Sequence, residues 1–377
     1  MPEAKSITPE ELKRRLDAGE IQFIFDLRAE DEFKSWKVEG KTDVPTMNIP
    51  QEDFVGEEEK FFDRFPKDKE IITICAHGDS SQYTADMLSE RGFKARGLKG
   101  GMDLWSEFYE ARKVSESPLV YQIYRVAKGC IGHVVTSDGQ AAVLDAPRHI
   151  ENVTRIIDES GAKVVAVLDT HLHADHISGG PALAKKYNAP YYIHQADTKG
   201  ATYEHRVMHN HDRIKVGGSV IEVLHSPGHT PGSTSFLLDG KILFTGDTVM
   251  ETSIGRPDLG GMVGSWAGFL YYTLFKRYKG LPDDILVLPA HAASIREQDE
   301  QGIVRFTLGW ARQKRSLFHI TEMGKFKEAI KSTLLENPER YADIRQVNLG
   351  VLEADEKKLK ELEIGKNLCG MAGKKGA

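Results

Sequence analysis

The segment Asp169-Thr170-His171-Leu172-His173-Ala174-Asp175-His176 decides the fold, and it follows directly on the apolar, β-branched run Val164–Leu168. Runs of that kind, bounded by polar residues, read as strands. Three more end in the same way. Val220–Leu224 leads into Ser226-Pro227-Gly228-His229, Lys241–Phe244 into Thr245-Gly246-Asp247, and Ile285–Leu288 into Pro289-Ala290-His291. In an α/β sheet the loops at one end of the strands bring distant residues together, and ligands collect there. Imidazoles bind borderline metals, and a carboxylate compensates the ion's charge. His171, His173, Asp175, His176, His229, Asp247 and His291 therefore read as one metal-binding constellation. Nine of the fourteen histidines fall between His171 and His229, a density that ordinary core and surface histidines do not produce.

Upstream of this segment, Gly132–Thr136 and Gln140–Asp145 are predicted strands joined around Ser137-Asp138-Gly139, a hairpin signal. Helix–strand alternation follows. Beyond about Arg296 the chain reads as mainly helical, broken at Pro338 and Gly350, and the Lys- and Glu-rich stretch Glu353–Glu363 reads as a solvated helix face. His205, His209 and His211 lie in a polar connection and are assigned to the surface; His133, His149, His194, His225 and His319 are assigned structural roles.

The first part of the chain has a different pattern. Thr8-Pro9-Glu10-Glu11 opens a helix, with Thr8 as cap, Pro9 in the first turn and Glu11 closing a capping box. Ile21–Phe25 and Ile71–Ile74 are short apolar strands, ending at Asp26 and Cys75, and Ser80–Arg91 is a helix stopped by Gly92. Strands and helices alternating at this density imply a parallel sheet covered by helices. Ala111–Pro118 is polar and charged, and a domain boundary is expected there, giving units of 1–115 and 119–377.

Cys75-Ala76-His77-Gly78-Asp79-Ser80-Ser81 lies between a strand and a helix. Successive backbone N–H groups and the helix N-terminus can surround the sulfur and favour the thiolate, which can attack a sulfane sulfur and hold it as a persulfide. A buried cysteine ending a core strand is the competing reading.

Composition narrows the class. A net charge of −6 lacks the basic excess that draws phosphates, so nucleic acid is not expected as a partner. Cys75, Cys130 and Cys369 are far apart and form no CxxC pair, so a reducing compartment is expected. Met1–Arg15 has no apolar core of a signal peptide, and no apolar run reaches the ~18–20 residues that span a bilayer. The expectation is a cytoplasmic protein with no membrane partner.

THLHADH, SPGHTPGS, TGD and PAH resemble the metallo-β-lactamase superfamily, and THLHADHISGG with TGDTVMETSIGRPDLGG and the terminal NLCG is similar to its persulfide dioxygenases, the ethylmalonic encephalopathy protein family. The resemblance implies an αββα sandwich holding one Fe(II) per chain on His171, His229 and Asp247. His173, Asp175, His176 and His291 would then be second-shell residues or a second metal site. Arg256, in GRPD, takes the position of an arginine that contacts the thiol substrate; a turn-stabilising ion pair with Asp258 stands equally open. Asp26-Leu27-Arg28, Cys75…Gly78…Ser81 and Leu98–Trp105 resemble a rhodanese domain, with Cys75 as the sulfur-carrying nucleophile.

Two departures stand out. Pro289-Ala290-His291-Ala292-Ala293-Ser294 replaces the PAHDY of glutathione-using relatives, so glutathione persulfide and coenzyme A persulfide are both kept as substrates. Ser80 occupies the place where many rhodaneses have an arginine, so thiosulfate is expected to be a poor donor. The fold class expected is α/β: an N-terminal rhodanese domain, its parallel sheet flanked by helices, and a metallo-β-lactamase sandwich with a C-terminal helical extension. The function expected is oxidation of a small-thiol persulfide by O₂ to sulfite and thiol, coupled to sulfane-sulfur transfer. A dinuclear zinc thioester hydrolase resembling glyoxalase II, and a sulfur carrier with a degenerate rhodanese domain, are the alternatives. The family also implies a homo-oligomer.

Overall fold

Thr8 caps the first helix, Pro9–Asp17, its hydroxyl accepting from the Glu11 N–H at 3.2 Å. From there the computed structural model describes residues 6–258, 263–332 and 340–367. The chain divides into two compact units, Met1–Tyr109 with Arg125–Lys128, and Glu110–Tyr124 with Gly129–Ala377.

In the first unit, four strands form a parallel sheet in the order Thr46–Asn48, Ile24–Asp26, Glu70–Ile74, Lys94–Gly97. A parallel sheet is covered on both faces, which is why its central strands are continuous apolar runs. Phe25, Ile71 and Cys75 pack with Ala85 and Leu88 of the helix Asp79–Glu90. Phe25 also meets Phe54 and Phe65 edge to face, each at 5.0 Å between centroids.

In the second unit, a seven-stranded sheet runs in the order Arg206–Val207, Tyr191–Ile193, Lys163–Leu168, Gln140–Leu144, Ile131–Ser137, Leu119–Arg125, Tyr109–Glu116. A six-stranded sheet runs Arg213–Val216, Ser219–His225, Thr234–Leu238, Ile242–Gly246, Leu286–Pro289, Phe306–Thr307. The sheets face one another through Val135, Ala142, Leu144 and Leu168 on one side and Ile221, Val223, Phe236 and Phe244 on the other, all fully buried or nearly so. The outer face of the six-stranded sheet is covered by the helices Val263–Tyr272 and Met323–Lys331, through Leu243, Leu270, Phe326 and Ile330. The result is an αββα sandwich whose strand ends carry the histidine loops.

Two segments differ from expectation. Ala111–Pro118, where a domain boundary was expected, lies just past Tyr109, where the first unit's main segment ends, but most of it is strand: Tyr109–Glu116 forms the edge of the seven-stranded sheet, with Val114 packed against the inter-sheet core. Charged side chains are normal on an edge strand, where they discourage further pairing, and that disguised it. The helix Glu356–Glu363 is not simply solvated either. Leu362 and Glu363 are buried, Leu359 and Leu362 pack with Ala174 and Ile177, and Glu363 accepts the Ile177 N–H at 2.8 Å. Pro338 and most of the NLCG segment, including Cys369, lie outside the described residues. Among the described residues, no helix is long and apolar enough to cross a membrane.

Candidate metal centre

The strand Lys163–Leu168 of the seven-stranded sheet delivers its loop to meet the TGD turn and the SPGH loop, which follow strands of the six-stranded sheet. Thr170 is the first joint. Its backbone N–H donates to Asp145 Oδ1 at 2.7 Å, and its hydroxyl donates to the same carboxylate at 3.0 Å. The Thr170 side chain also presses on the TGD turn. Gly246 has φ +55°, and a Cβ there would lie 2.6 Å from Thr170 Oγ1, so only glycine lets the two loops approach this closely. That approach sets Asp247 opposite His171.

Hydrogen bonds on the outer side of each ring fix which nitrogen faces inward. His171 Nδ1 sits 2.9 Å from Thr170 Oγ1, and with the Thr170 hydroxyl committed to Asp145, the imidazole is the donor. His229 Nδ1 donates to the Arg256 carbonyl at 3.0 Å. His291 Nδ1 donates to Asp247 Oδ1 at 2.5 Å. The remaining atoms, His171 Nε2, His229 Nε2 and Asp247 Oδ2, are buried and have no hydrogen-bond partner. They face one another, with Asp247 Oδ2 3.5 Å from His229 Nε2 and 3.9 Å from His171 Nε2. Three buried polar atoms orphaned toward a common point are costly unless a cation belongs there. The donor set, two imidazoles and one carboxylate within 4.8 Å of one another, suits a transition metal.

The electrostatics agree. Burial drives His171 well below the usual imidazole range, reinforced by His173 and opposed by Asp247, and burial lowers His229 against the pull of Asp247. Both rings are thereby kept neutral, as ligands must be. Burial alone would raise Asp247, but the charge of His291 and its hydrogen bond outweigh it and keep the carboxylate ionised.

The other predicted residues separate into two groups. His173 turns to Asp145, Nε2 to Oδ1 at 3.2 Å, and belongs with Asp145 and Asp169. Asp175, His176 and His291 join Cys130 in a second buried set. There burial opposes the shift of Cys130, yet the charge of His176 draws the thiol below its usual range; His176 itself rises to about 10, as Cys130 and Asp175 outweigh its burial. Cys130, Asp145 and Asp169 had not been identified from sequence. The two aspartates carry the same signal as the histidines, a metal-competent residue just after a strand. Cys130 carries none. Asn348 is another unforeseen support: its amide donates to the carbonyls of His173 and His176 at 2.9 and 2.8 Å, pinning the loop between them. His211 pairs with Glu222 at 2.8 Å on the surface and His205 Nδ1 lies 3.2 Å from the Tyr203 carbonyl.

Thr170→Val keeps the shape but removes the hydroxyl that orients His171. Outer-sphere losses of this kind typically weaken metal binding ~10–100-fold. A chelator competition assay is expected to show a loss in that range, and unchanged affinity would remove Thr170 from the design.

Arg256 is 1% exposed, and its guanidinium grips Asp258 at 2.7 and 2.6 Å while its carbonyl holds His229. Breaking a buried ion pair by truncating one partner costs about 3–5 kcal/mol. Arg256→Ala is expected to lower the urea midpoint of unfolding accordingly. Unaltered stability would instead leave the guanidinium free for a role in binding.

In the first unit, Cys75 Sγ accepts from the Gly78 N–H at 3.0 Å and the Ser81 N–H at 3.3 Å, an arrangement that holds an anionic sulfur. It opens on a cavity of about 260 Å³ lined by Arg28, Glu32, Glu52, Cys75, His77 and Asp79 among others. Arg28 is buried and spans Asp26, and His77 Nδ1 is 2.7 Å from Asp103. Both side chains are thus engaged, and the exposed rim is acidic.

Residues 133–291 match the model of the metallo-beta-lactamase superfamily, and residues 8–108 match that of the rhodanese-like domain. The crystal structure of a metallo-beta-lactamase from Staphylococcus aureus subsp. aureus COL is similar, at 30% identity and a TM-score of 0.57 over 62% of this chain and 73% of that one. ETHE1 from Myxococcus xanthus shares the fold, with a TM-score of 0.51 at 24% identity over 65% of this chain and 100% of that one. A hydroxyacylglutathione hydrolase of Rhodopseudomonas palustris (strain BisB5) is 32% identical over 157 residues, 41% of this chain and 58% of the hydrolase. With these matches joined to the strand-end metal donors and the αββα sandwich, the chain belongs to the metallo-beta-lactamase superfamily and carries a rhodanese-like domain ahead of that fold.

Proposed function

We propose that the protein oxidises a small-thiol persulfide with O₂: R–S–SH + O₂ + H₂O gives R–SH, sulfite and two protons. The observation that carries this reading is the convergence of His171 Nε2, His229 Nε2 and Asp247 Oδ2 as three unpartnered buried atoms, with Asp247 Oδ1 already taken by His291. A two-histidine, one-carboxylate set leaves coordination positions open, and a ferrous ion held there would activate a thiolate and O₂ together. The chain's own residues do the positioning. Thr170 and Asp145 orient His171, the Arg256 carbonyl orients His229, and His291 keeps Asp247 ionised and turned inward.

The rhodanese-like domain supports the same chemistry. The Cys75 thiolate attacks the outer sulfur of R–S–SH, the S–S bond breaks, and Cys75–S–SH forms as R–S⁻ leaves. The reverse step loads the small thiol. With Arg28 held by Asp26 and His77 beside Asp103, thiosulfate is a poor donor and glutathione or coenzyme A persulfide a better one.

A dinuclear thioester hydrolase is the second reading, favoured by Asp175, His176 and His291 lying together beside the first set and by the similarity to a hydroxyacylglutathione hydrolase. Supplying glutathione persulfide, coenzyme A persulfide and S-lactoylglutathione to anaerobically purified protein separates them. Oxygen uptake on either persulfide, without thioester cleavage, is expected. Thioester cleavage without oxygen uptake would replace this function with the hydrolase.

A further inference from the structure

We propose that the rhodanese-like domain draws its sulfur from a persulfide whose carrier bears a positive charge close to the sulfur, an ammonium or a guanidinium. This rests on sulfur transfer at Cys75 and not on oxidation at the metal. Glu32, Glu52 and Asp79 line the cavity of about 260 Å³ on which Cys75 opens. They come from three separate segments, the helices Glu30–Ser35, Gln51–Phe54 and Asp79–Glu90. All three are exposed, and among the described residues none of their carboxylates has an ion pair or a hydrogen bond. Each lies in the first turn of its helix, where a carboxylate complements the helix dipole. That local benefit does not require all three to face one sulfur.

The positive groups of the cavity are already matched. Arg28 is 4% exposed, its Nε and Nη2 donate to the Asp26 carboxylate, and Nη2 also reaches the Trp36 carbonyl at 2.9 Å. His77 Nδ1 lies 2.7 Å from Asp103 Oδ2, so a charge on the ring is balanced there. The Gly78 and Ser81 N–H groups point at Cys75 Sγ itself and serve the thiolate rather than the carrier. The field that a donor meets at the mouth is therefore set by the three unmatched carboxylates. A cleft lined by one sign of charge concentrates the opposite sign and hastens its arrival by ~10-fold or more.

The size of the cavity limits what enters. At about 260 Å³ it falls below the ~300–1,000 Å³ of pockets that enclose a drug-sized ligand. It takes the persulfide and a few neighbouring atoms, so the charge must sit near the sulfur. A small aminothiol persulfide meets that need, and so does a persulfidated cysteine flanked by lysine or arginine in a peptide. In transfer, the Cys75 thiolate attacks the outer sulfur of R–S–SH and forms Cys75–S–SH. The carrier's S–S bond breaks, and its electron pair leaves on R–S⁻, which the adjacent cation stabilises before water protonates it. No oxidant or reductant is consumed.

Cysteamine persulfide and mercaptopropionate persulfide, alike in size and opposite in charge, test this on the full chain without oxygen. Loading of Cys75 is followed by intact mass, with Cys75→Ser as background and each rate divided by that donor's rate with free cysteine. The cationic donor is expected to load Cys75 on the order of 10-fold faster at low salt. The advantage should shrink toward one at about 1 M salt, where the screening length is ~3 Å. It should also shrink in the Glu32→Gln, Glu52→Gln, Asp79→Asn triple variant. Equal rates in the wild type at low salt, a faster anionic donor, or an advantage that survives salt would each overturn the proposal. The salt arm needs no variant, so it stands if the triple variant fails to fold. Peptides carrying a persulfidated cysteine between lysines or between glutamates identify the source. A lysine peptide faster than cysteamine persulfide points to a protein donor, and the reverse to a small aminothiol; a glutamate peptide as fast as the lysine one would overturn the proposal. Loading from no donor would remove sulfur transfer at Cys75 itself, a failure distinct from loss of charge preference.

Discussion

Asp247→Ala is expected to abolish persulfide-driven oxygen uptake and to reduce the iron content to background. Asp247 supplies the one carboxylate in its set, so its removal leaves two neutral imidazoles to hold a divalent cation with no charge compensation. It also strands the His291 Nδ1–H, whose bond to Oδ1 at 2.5 Å is a buried, charge-assisted one. Both effects act in the same direction. The loss should therefore exceed the ~10–100-fold typical of outer partners such as Thr170. Elemental analysis with circular dichroism separates loss of metal from loss of fold. Asp175→Ala, which touches the second set, should keep most of the iron. A folded Asp247→Ala protein with its full iron complement would remove Asp247 from the ligand set.

Cys75→Ser is expected to abolish sulfur transfer while leaving oxygen uptake on a preformed small-molecule persulfide nearly intact. The serine hydroxyl can accept the Gly78 and Ser81 N–H groups, so the loop should keep its shape. It is a far weaker nucleophile toward sulfur and cannot hold a persulfide. Oxygen uptake driven by a donor that first requires transfer should fall with it, and thiosulfate should be poor in the wild type as well. Measuring sulfite and oxygen for both proteins with both donors decides the matter. If Cys75→Ser keeps its iron yet fails on the preformed persulfide, Cys75 takes part in the oxidation itself.

The strand-end histidines were legible because each lies just beyond a β-branched run, but local pattern does not reveal that the run before His171 belongs to the seven-stranded sheet and those before His229, Asp247 and His291 to the six-stranded one. Thr8, Asp26, Cys75 and the Asp138-Gly139 hairpin were legible for the same local reason. What the sequence concealed is set by contacts between distant segments. Cys130 meets His291 through an isolated bridge outside the named strands, and Asn348 reaches the histidine loop from a helix far along the chain. Asp145 and Asp169 followed the strand-end rule and could have been read from it. Tyr109–Glu116 was hidden by its charges, since an edge strand and a polar linker share a composition. The pairing of Arg256 with Asp258 needed coordinates, because a ligand contact and a buried ion pair use the same residues.

The most direct measurement is oxygen consumption and sulfite release, followed together, when glutathione persulfide or coenzyme A persulfide is added to protein of known iron content. The expected result is one sulfite per O₂ consumed, at a rate proportional to bound iron. Protein carrying two zinc ions that cleaves a glutathione thioester and consumes no oxygen on either persulfide would contradict it.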